Sequence, residues 1–533
     1  MILQNSTKRI LSVGALALAL SSIGLTAARP ALANTCATAA EPAAKAGSRV
    51  AWTNVYSRDG VIQRLYRSLE QAGLQAAEAV ARRLELRLRE QSQVQTRALL
   101  AAQREGRALV QDSVIIGGGV HGTIASLFLS PRRESFVVLE AGETPASPVW
   151  ANAGATFPLN TKVEATNIPG SPVQMSNFSD RKHPLSSSLY SLIVASIAAS
   201  RGPVLLENAV TRVQDRFDHS AEAKDWPARY RIETAQGLVF YTERPVLATG
   251  LQQGKYPVKS AKAIEQIEAE RNRPLRSKED MPTFMFFDEM TSHQRRLSRA
   301  GVPANLPVAG KTVAYIGAGA SGNVAVENNR GQGPDGIYAG HPNPAGLAPA
   351  HSFWFGQKSK SYEEFKKNNP ERYHETCKDI YERDDMTLLP SYVKDMERVE
   401  IGGALKWKLT YEDAGIVKDV LVDFVVATSG YNGTARGILG DLLAAAEARG
   451  QHVEFAPVYG VKPDTGEQII VGRKLVRHAG AAESRATPPD QILVVGAGAS
   501  HEGPLMVVNG VPQISIPNLG PRTVQALKWF FGE

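Results

Sequence analysis

Three short glycine clusters have the residue types and spacing to hold an anion. They are Gly117-Gly118-Gly119-Val120-His121-Gly122, Gly317-Ala318-Gly319-Ala320-Ser321-Gly322 and Gly496-Ala497-Gly498-Ala499-Ser500-His501-Glu502-Gly503, and each directly follows aliphatic or β-branched residues. A strand that runs into G-x-G-x-x-G uses its first glycine for a tight bend and its second to let backbone approach a pyrophosphate. The third lets the following helix pack on the strand, and that helix offers free N–H groups and its positive dipole end to the phosphates. The chemistry predicted is dinucleotide binding.

The elements around the first cluster fit that chemistry. Ser113-Val114-Ile115-Ile116 reads as a strand, residues 121–129 as a helix, and Ser135-Phe136-Val137-Val138-Leu139 as a second strand closed by Glu140. An acidic residue about 20 positions beyond the glycines is where a ribose hydroxyl is held. Gly117, Gly119, Gly122 and Glu140 are therefore the first candidate site. The second cluster follows Gly310-Lys311-Thr312-Val313-Ala314-Tyr315-Ile316, with Gly317, Gly319, Ser321 and Gly322 as its candidate residues. No acidic residue stands at the matching distance. A Gly/Pro-rich stretch over 331–349 intervenes before Ser352-Phe353-Trp354-Phe355, which runs into Gly356-Gln357-Lys358-Ser359-Lys360. A basic strand end there suits a 2′-phosphate, with Lys358 as its ligand and NADP favoured over NAD; ordinary solvated lysines are the other reading.

A chain of 533 residues, 43% hydrophobic and with 46 glycines, is long enough for several domains with cores of their own. The net charge of +7 allows an anionic partner. With no compact Lys/Arg block and no nucleic-acid module, it is read as favouring dinucleotides rather than nucleic acid. Lys8 and Arg9 precede an apolar run over 10–25, and Ala31-Leu32-Ala33 offers small residues for cleavage. That predicts a signal peptide over 1–33, a periplasmic or secreted protein and no stable membrane insertion after cleavage. Thr7-Lys8-Arg9-Ile10-Leu11 also resembles a twin-arginine signal. Cys36 and Cys377 are the two cysteines, enough for one bridge at most, and C-x-x-C and C-x4-C are absent. Disulfide reductase chemistry is thereby disfavoured.

Between signal and first fingerprint, Ile62, Leu65, Leu69, Ala76, Val80, Leu84 and Leu88 recur at helical spacing, with nine arginines and five glutamates over 61–109. This helical extension, 34–110, either packs on the main body or docks a partner. Further on, residues 187–200 read as an apolar helix, 203–210 as a strand, and 230–234 with 238–241 as a hairpin. A separate strand over 245–247 ends in Ala248-Thr249-Gly250. Trp407-Lys408-Leu409-Thr410-Tyr411, Val420-Leu421-Val422 and Phe424-Val425-Val426-Ala427-Thr428-Ser429-Gly430 repeat that pattern. The expected fold is α/β with two Rossmann-like domains: a first dinucleotide domain over 111–255 and 433–533, and a second over 256–432 inserted in it.

With these motifs in order, the chain resembles the class B flavin-containing monooxygenases, the group that includes N-hydroxylating enzymes. The resemblance spans about residues 112–531. It implies FAD at Gly117, Gly119, Gly122 and Glu140, and NADPH at Gly317, Gly319, Ser321 and Gly322. Thr249 and Gly250 are implied in the first hinge, and the strand 491–495 with Gly496 closes the flavin domain rather than binding a third nucleotide. The helix 521–531 would lie near the flavin ring. Trp150 is what remains of the group's Gly-Gly-x-Trp, and Asn160 is the implied support for the oxygenated flavin. Glu289, in Phe287-Asp288-Glu289-Met290-Thr291-Ser292-His293, replaces a glycine of the group's F-x-G-x-x-x-H. The implied reaction uses NADPH and dioxygen to oxygenate a nitrogen or sulfur of a small-molecule substrate through a flavin C4a-(hydro)peroxide.

Export sits awkwardly with NADPH, which is a cytoplasmic reductant. Two other readings therefore stand beside the first. One is an exported FAD oxidase or dehydrogenase reduced directly by its substrate. The other is a flavin-binding protein without turnover whose arginine-rich helices dock a partner.

Overall fold

The computed structural model describes residues 83, 85–132, 134–145, 166–171, 202–218, 223–274, 281–290, 308–317, 349–356, 384–433, 435–478, 491–508, 511–512 and 516–533. It also describes positions 175, 190, 193–194, 197–198, 322 and 325–326. A helix over 85–104 (α1) leads into β1 (Leu109–Ile116), α2 (Val120–Leu129) and β2 (Phe136–Leu139). Next come β3 (Val204–Leu205), β4 (Val210–Asp215), β5 (Tyr230–Thr234) and β6 (Val239–Leu247). β3, β2, β1 and β6 lie side by side and parallel, in a register that sets Ser113 against Phe136 and Ile116 against both Leu139 and Leu247.

Both faces of this parallel core are covered, as near-continuous aliphatic strands require. Val114, Ile116, Val137, Leu139 and Leu247 point to one side, where α1 contributes Leu99. Ile115, Val138 and Val246 point to the other, against Ile124 and Leu127 of α2.

The chain then leaves through β7 (Leu251–Gly254) and α3 (Ala261–Arg271) for a second sheet. Its strands are β8 (Phe284–Phe286), β9 (Thr312–Ile316), β10 (His351–Phe355), β11 (Met386–Leu389) and, after an intervening meander, β15 (Phe424–Ala427). Their order is β11-β10-β9-β15-β8 and every pairing is parallel. The meander is antiparallel: β12 (Val393–Ile401), β13 (Ala404–Asp413) and β14 (Ile416–Val422). It buries Met396, Trp407 and Leu409 against one face of that sheet.

β16 (Tyr431–Gly433) brings the chain back, antiparallel to β7. After α4 (Gly440–Ala448), the antiparallel pair β17 (His452–Val461) and β18 (Gln468–His478) leads to β19 (Leu493–Val494). β19 joins the first sheet parallel to β6. The helices α5 (Gly496–His501) and α6 (Ile516–Phe531) end the chain. The architecture is two Rossmann-like units, the second inserted in the first. Among the described residues no helix is long and apolar enough to cross a membrane.

Several local expectations are corrected. β1 begins at Leu109, not Ser113, because Leu109 through Gln111 pair with Phe240 through Thr242 and the Thr242 hydroxyl donates to the Asp112 carbonyl. The strand expected over 203–210 is broken: Leu206 and Glu207 form a turn, with Glu207 in the left-handed region at φ 58°. The strands expected over 238–241 and 245–247 are one strand, β6. Pro245 is tolerated inside it because β5 stops pairing at Thr242 and β19 begins at Val246, so the missing N–H falls where one neighbour ends and the next begins. α6 begins at Ile516 and carries Pro521 within it.

A buried ion cluster ties early strands of the first unit to its last ones. Arg229 donates through Nε and Nη2 to Asp215 Oδ2 at 3.0 and 2.8 Å, and Arg477 pairs with Asp215 and, at 2.7 Å, with Asp218. Arg449 also reaches Asp218. Asp215 and Arg477 have side chains 0% and 1% exposed, so each charge depends on its partners. Asp215→Ala is expected to lower unfolding stability by about 3–5 kcal/mol, because Arg229 would be left buried without its carboxylate and Arg477 with Asp218 alone. Urea unfolding followed by tryptophan fluorescence measures this.

Candidate functional site: two glycine turns at parallel strand ends

The first site is built at the carboxyl ends of β1, β2 and β6. Gly117 lies at φ +103°, and a Cβ on it would stand 2.6 Å from the Ala248 carbonyl oxygen. A Cβ on Gly122 would stand 1.9 Å from the Gly117 carbonyl oxygen, so α2 approaches the turn as closely as backbone permits. Gly119 is the N-cap of α2, and no side chain caps the helix start. Open N–H groups at a helix start, with glycine on either side, form an anion site by construction.

Glu140 completes it. Its Oε2 accepts from Gly118 N at 2.6 Å and its Oε1 from Gly142 N at 2.7 Å, and the residue is 4% exposed. Burial raises its carboxyl above the usual glutamate range, while the N–H groups of Gly142, Gly118 and Ala141 pull the other way. An ionised carboxylate offers about four lone-pair positions, so two remain for the hydroxyls of a ribose.

The other glycine motifs meet the first. A Cβ on Gly496 would lie 2.4 Å from the His121 ring, and one on Gly498 would lie 3.3 Å from the Gly250 carbonyl oxygen. The third cluster thus closes over the start of α2 and over Thr249–Gly250. The Thr249 hydroxyl is buried with no protein partner, a polar atom available to a ligand. His121 is held through Nδ1 to the Thr523 hydroxyl of α6 at 2.9 Å, and burial pushes its pKa down to about 4, so it sits there neutral. Through this contact α6 docks on α2.

The second site repeats the first. Gly317 N donates to the Phe355 carbonyl at 3.1 Å, as Gly117 N donates to Leu139 at 2.8 Å. Gly317 lies at φ +125° with Thr428 O 2.3 Å from the place of a Cβ, and a Cβ on Gly322 would stand 2.3 Å from the Gly317 carbonyl. Ala248 and Thr428 are therefore the matching floors of the two turns. Two side chains brace the second turn: the Trp354 indole donates to the Gly317 carbonyl at 2.8 Å and the Thr428 hydroxyl at 3.0 Å.

The residue that matches Glu140 in this register is Gly356. No carboxylate closes β10. Gly319, Ser321 and Lys358, like Trp150 and Asn160 of the first site, lie outside the described residues.

Glu289, which stands where the resemblance expects a glycine, has a local occupation. Arg271 Nε donates to its two oxygens at 2.9 and 3.2 Å, and Phe286 N donates to Oε2 at 2.9 Å. Sequence reasoning saw the departure and missed the partner, which lies 18 residues earlier on α3. It also missed α1 as part of this neighbourhood. Arg89 bridges Glu143 at 3.1 Å and Glu207 at 2.9 Å, on either side of the Glu140 segment.

No family model and no curated protein matches the chain. Among solved structures it is similar to an L-lysine 6-monooxygenase from Pseudomonas syringae, at 15% identity over 79% of this chain and 99% of that one, with a TM-score of 0.48. It is similar to a flavin-containing monooxygenase from Stenotrophomonas maltophilia, at 15% identity over 79% and 98% and a TM-score of 0.41. A bacillithiol disulfide reductase from Staphylococcus aureus is similar at 15% identity over 79% and 98%, with a TM-score of 0.44. At these identities the likeness is one of fold.

Two outcomes test the first site. Gly122→Ala is expected to abolish dinucleotide retention and to cost about 1–3 kcal/mol of stability, since the added methyl has no space. Equilibrium dialysis and chemical unfolding of the purified protein measure these. The second concerns pH. Because the Glu140 carboxyl lies above the usual range when folded, it takes up its proton earlier on acidification than an exposed glutamate does. Folding stability gains as the pH falls through that raised value, whereas ribose binding loses its charged acceptor. Dinucleotide affinity should therefore fall at a pH above the ordinary glutamate range, and Glu140→Gln should remove this step from the affinity–pH profile.

Proposed function

We propose that the chain is an FAD-dependent oxidoreductase whose second turn takes a nicotinamide dinucleotide as reductant, and that it oxygenates a nitrogen or sulfur of a small molecule. The observation that carries the reading is the pairing of two glycine turns, one closed by the buried carboxylate of Glu140 and the other ending at Gly356 with no carboxylate. A carboxylate accepts from a free ribose hydroxyl, as FAD presents. A strand end without one admits the 2′-phosphate of NADPH, which a carboxylate would repel.

The residues fit FAD at the first turn. Gly117 and Gly122 let strand end and helix start meet at backbone contact, Gly119 opens the helix start, and the Thr249 hydroxyl is buried without a protein partner. Bound there, FAD supplies hydride acceptance and reaction with dioxygen, which no side chain can perform. The chain's own work is to bind and orient. Glu140 fixes the adenosine ribose, α2 meets the pyrophosphate, and the neutral His121 holds α6 against the turn.

The exported oxidase stands as the alternative, favoured by the apolar run over 10–25 after Lys8 and Arg9. Rapid mixing of the purified flavoprotein separates the two. NADPH should bleach the flavin absorbance near 450 nm, on the order of tenfold or more faster than NADH if the 2′-phosphate is recognised. Failure of both NADPH and NADH to bleach it overturns the proposal. Bleaching by an amine without nicotinamide would favour the oxidase.

A further inference from the structure

The backbone on both sides of Glu140 is held by a turn that the helical extension grips. Glu140 N donates to the Leu205 carbonyl at 2.9 Å, Asn208 N donates to the Glu140 carbonyl at 2.9 Å, and Glu207 N donates to the Gly142 carbonyl at 3.0 Å. The Glu140 segment is thus fastened to 205–208 three times within a few residues. That turn contains Glu207 at φ 58°, a conformation that is strained for a residue with a Cβ and persists only when its surroundings hold it.

The holding is done by α1. Leu206 N donates to the Ser92 hydroxyl at 2.7 Å, Asn208 Nδ2 donates to Thr96 at 3.0 Å, and Arg89 and Gln93 reach the Glu207 carboxylate at 2.9 and 3.3 Å. Arg89 also spans to Glu143 at 3.1 Å, on the far side of Gly142. One guanidinium therefore bridges the strained turn and the segment that carries the ribose carboxylate. At its other end α1 is fastened separately, through Gln103 to Gly237 O at 3.1 Å and from Val239 N at 2.8 Å. The two attachments lie at opposite ends of one helix, and only the first faces Glu140.

We infer that α1 is a buttress for the adenosine end of the first dinucleotide site, with Arg89 as a positioning residue that sets Glu140 through Glu207 and Glu143. This rests on the FAD reading above. It assigns the extension a role in cofactor selection, since a site organised from the adenosine end discriminates FAD from FMN, which lacks that half. Ser92 and Thr96 hold the turn's backbone, and Arg89 fixes its charge.

The test is a titration of flavin-free protein with FAD and with FMN, followed by flavin fluorescence. Arg89→Met is expected to weaken FAD by about tenfold and leave FMN unchanged, with Arg89→Lys recovering part of the loss. Gln103→Ala, which loosens the far end of the helix, is expected to leave FAD affinity within about twofold. Hydrogen exchange supplies a readout without cofactor: the Gly142 amide, donated to Glu140, should exchange faster in Arg89→Met. Unchanged FAD affinity and unchanged exchange in Arg89→Met overturn the inference. So does an equal loss in Gln103→Ala, which would mean that docking of the helix as a whole is what counts. A wild-type protein that takes up neither flavin fails the FAD reading itself, a result distinct from both.

Discussion

The approach of α2 to the end of β1 is the constraint on which the rest depends. With 1.9 Å between the Gly117 carbonyl oxygen and the place of a Cβ on Gly122, no residue but glycine lets that helix start where it does. The same closeness recurs at Gly317 and Gly322 with 2.3 Å. Each turn is also pressed from below by the strand that follows in the sheet, Ala248 under Gly117 and Thr428 under Gly317. A helix start brought this close to a strand end places its open N–H groups over the sheet edge, where a pyrophosphate can reach several at once. The sheets, with apolar side chains packed on both faces, are the support that keeps the approach fixed.

Glu140 shows how such a site holds a costly group. A buried carboxylate would be unfavourable alone, and burial does raise its proton affinity. Two backbone N–H groups at 2.6 and 2.7 Å offset the loss of water and also fix both oxygens in place. The second unit dispenses with that arrangement. Its turn is braced by the Trp354 indole and the Thr428 hydroxyl on the Gly317 carbonyl, and Gly356 stands where the first unit has Glu140. One fold thus presents two different strand ends, and the difference lies in single residues on an otherwise shared frame.

Much of this was legible in the sequence because glycine spacing is a local signal. The first turn, the second strand ending at Glu140, the second turn, and β10 as the partner of β9 across a long intervening stretch all followed from residues read in place. What was not legible depended on contacts between distant residues. Leu109 and Val110 read as the end of the helical extension, and only pairing with Phe240 to Thr242 makes Leu109 to Gln111 strand. Pro245 reads as a strand boundary, yet it falls in the gap between two neighbours that sequence cannot show. Glu207 carries no mark of a left-handed turn, and its carboxylate meets Arg89 and Gln93, more than 110 positions away. The arginine-rich helix likewise gave a charge pattern but not the carboxylates it meets.

The link between the two units follows from the same residues that floor the turns. Ala248 lies beneath Gly117 and is followed at once by Thr249–Gly250 and β7, and Thr428 lies beneath Gly317 and is followed by Ser429–Gly430 and β16. β7 and β16 pair antiparallel, and Lys255 N donates to the Gly430 carbonyl at 2.9 Å while the Ser429 hydroxyl donates to Lys255 O. The chain's outward and return crossings are therefore zipped together directly beyond the two sites. The floor of each turn stands three residues ahead of the paired crossing. The strand ends at Ala248 and Thr428 thus do two things at once: each floors a glycine turn, and each leads directly into one of the two paired crossings.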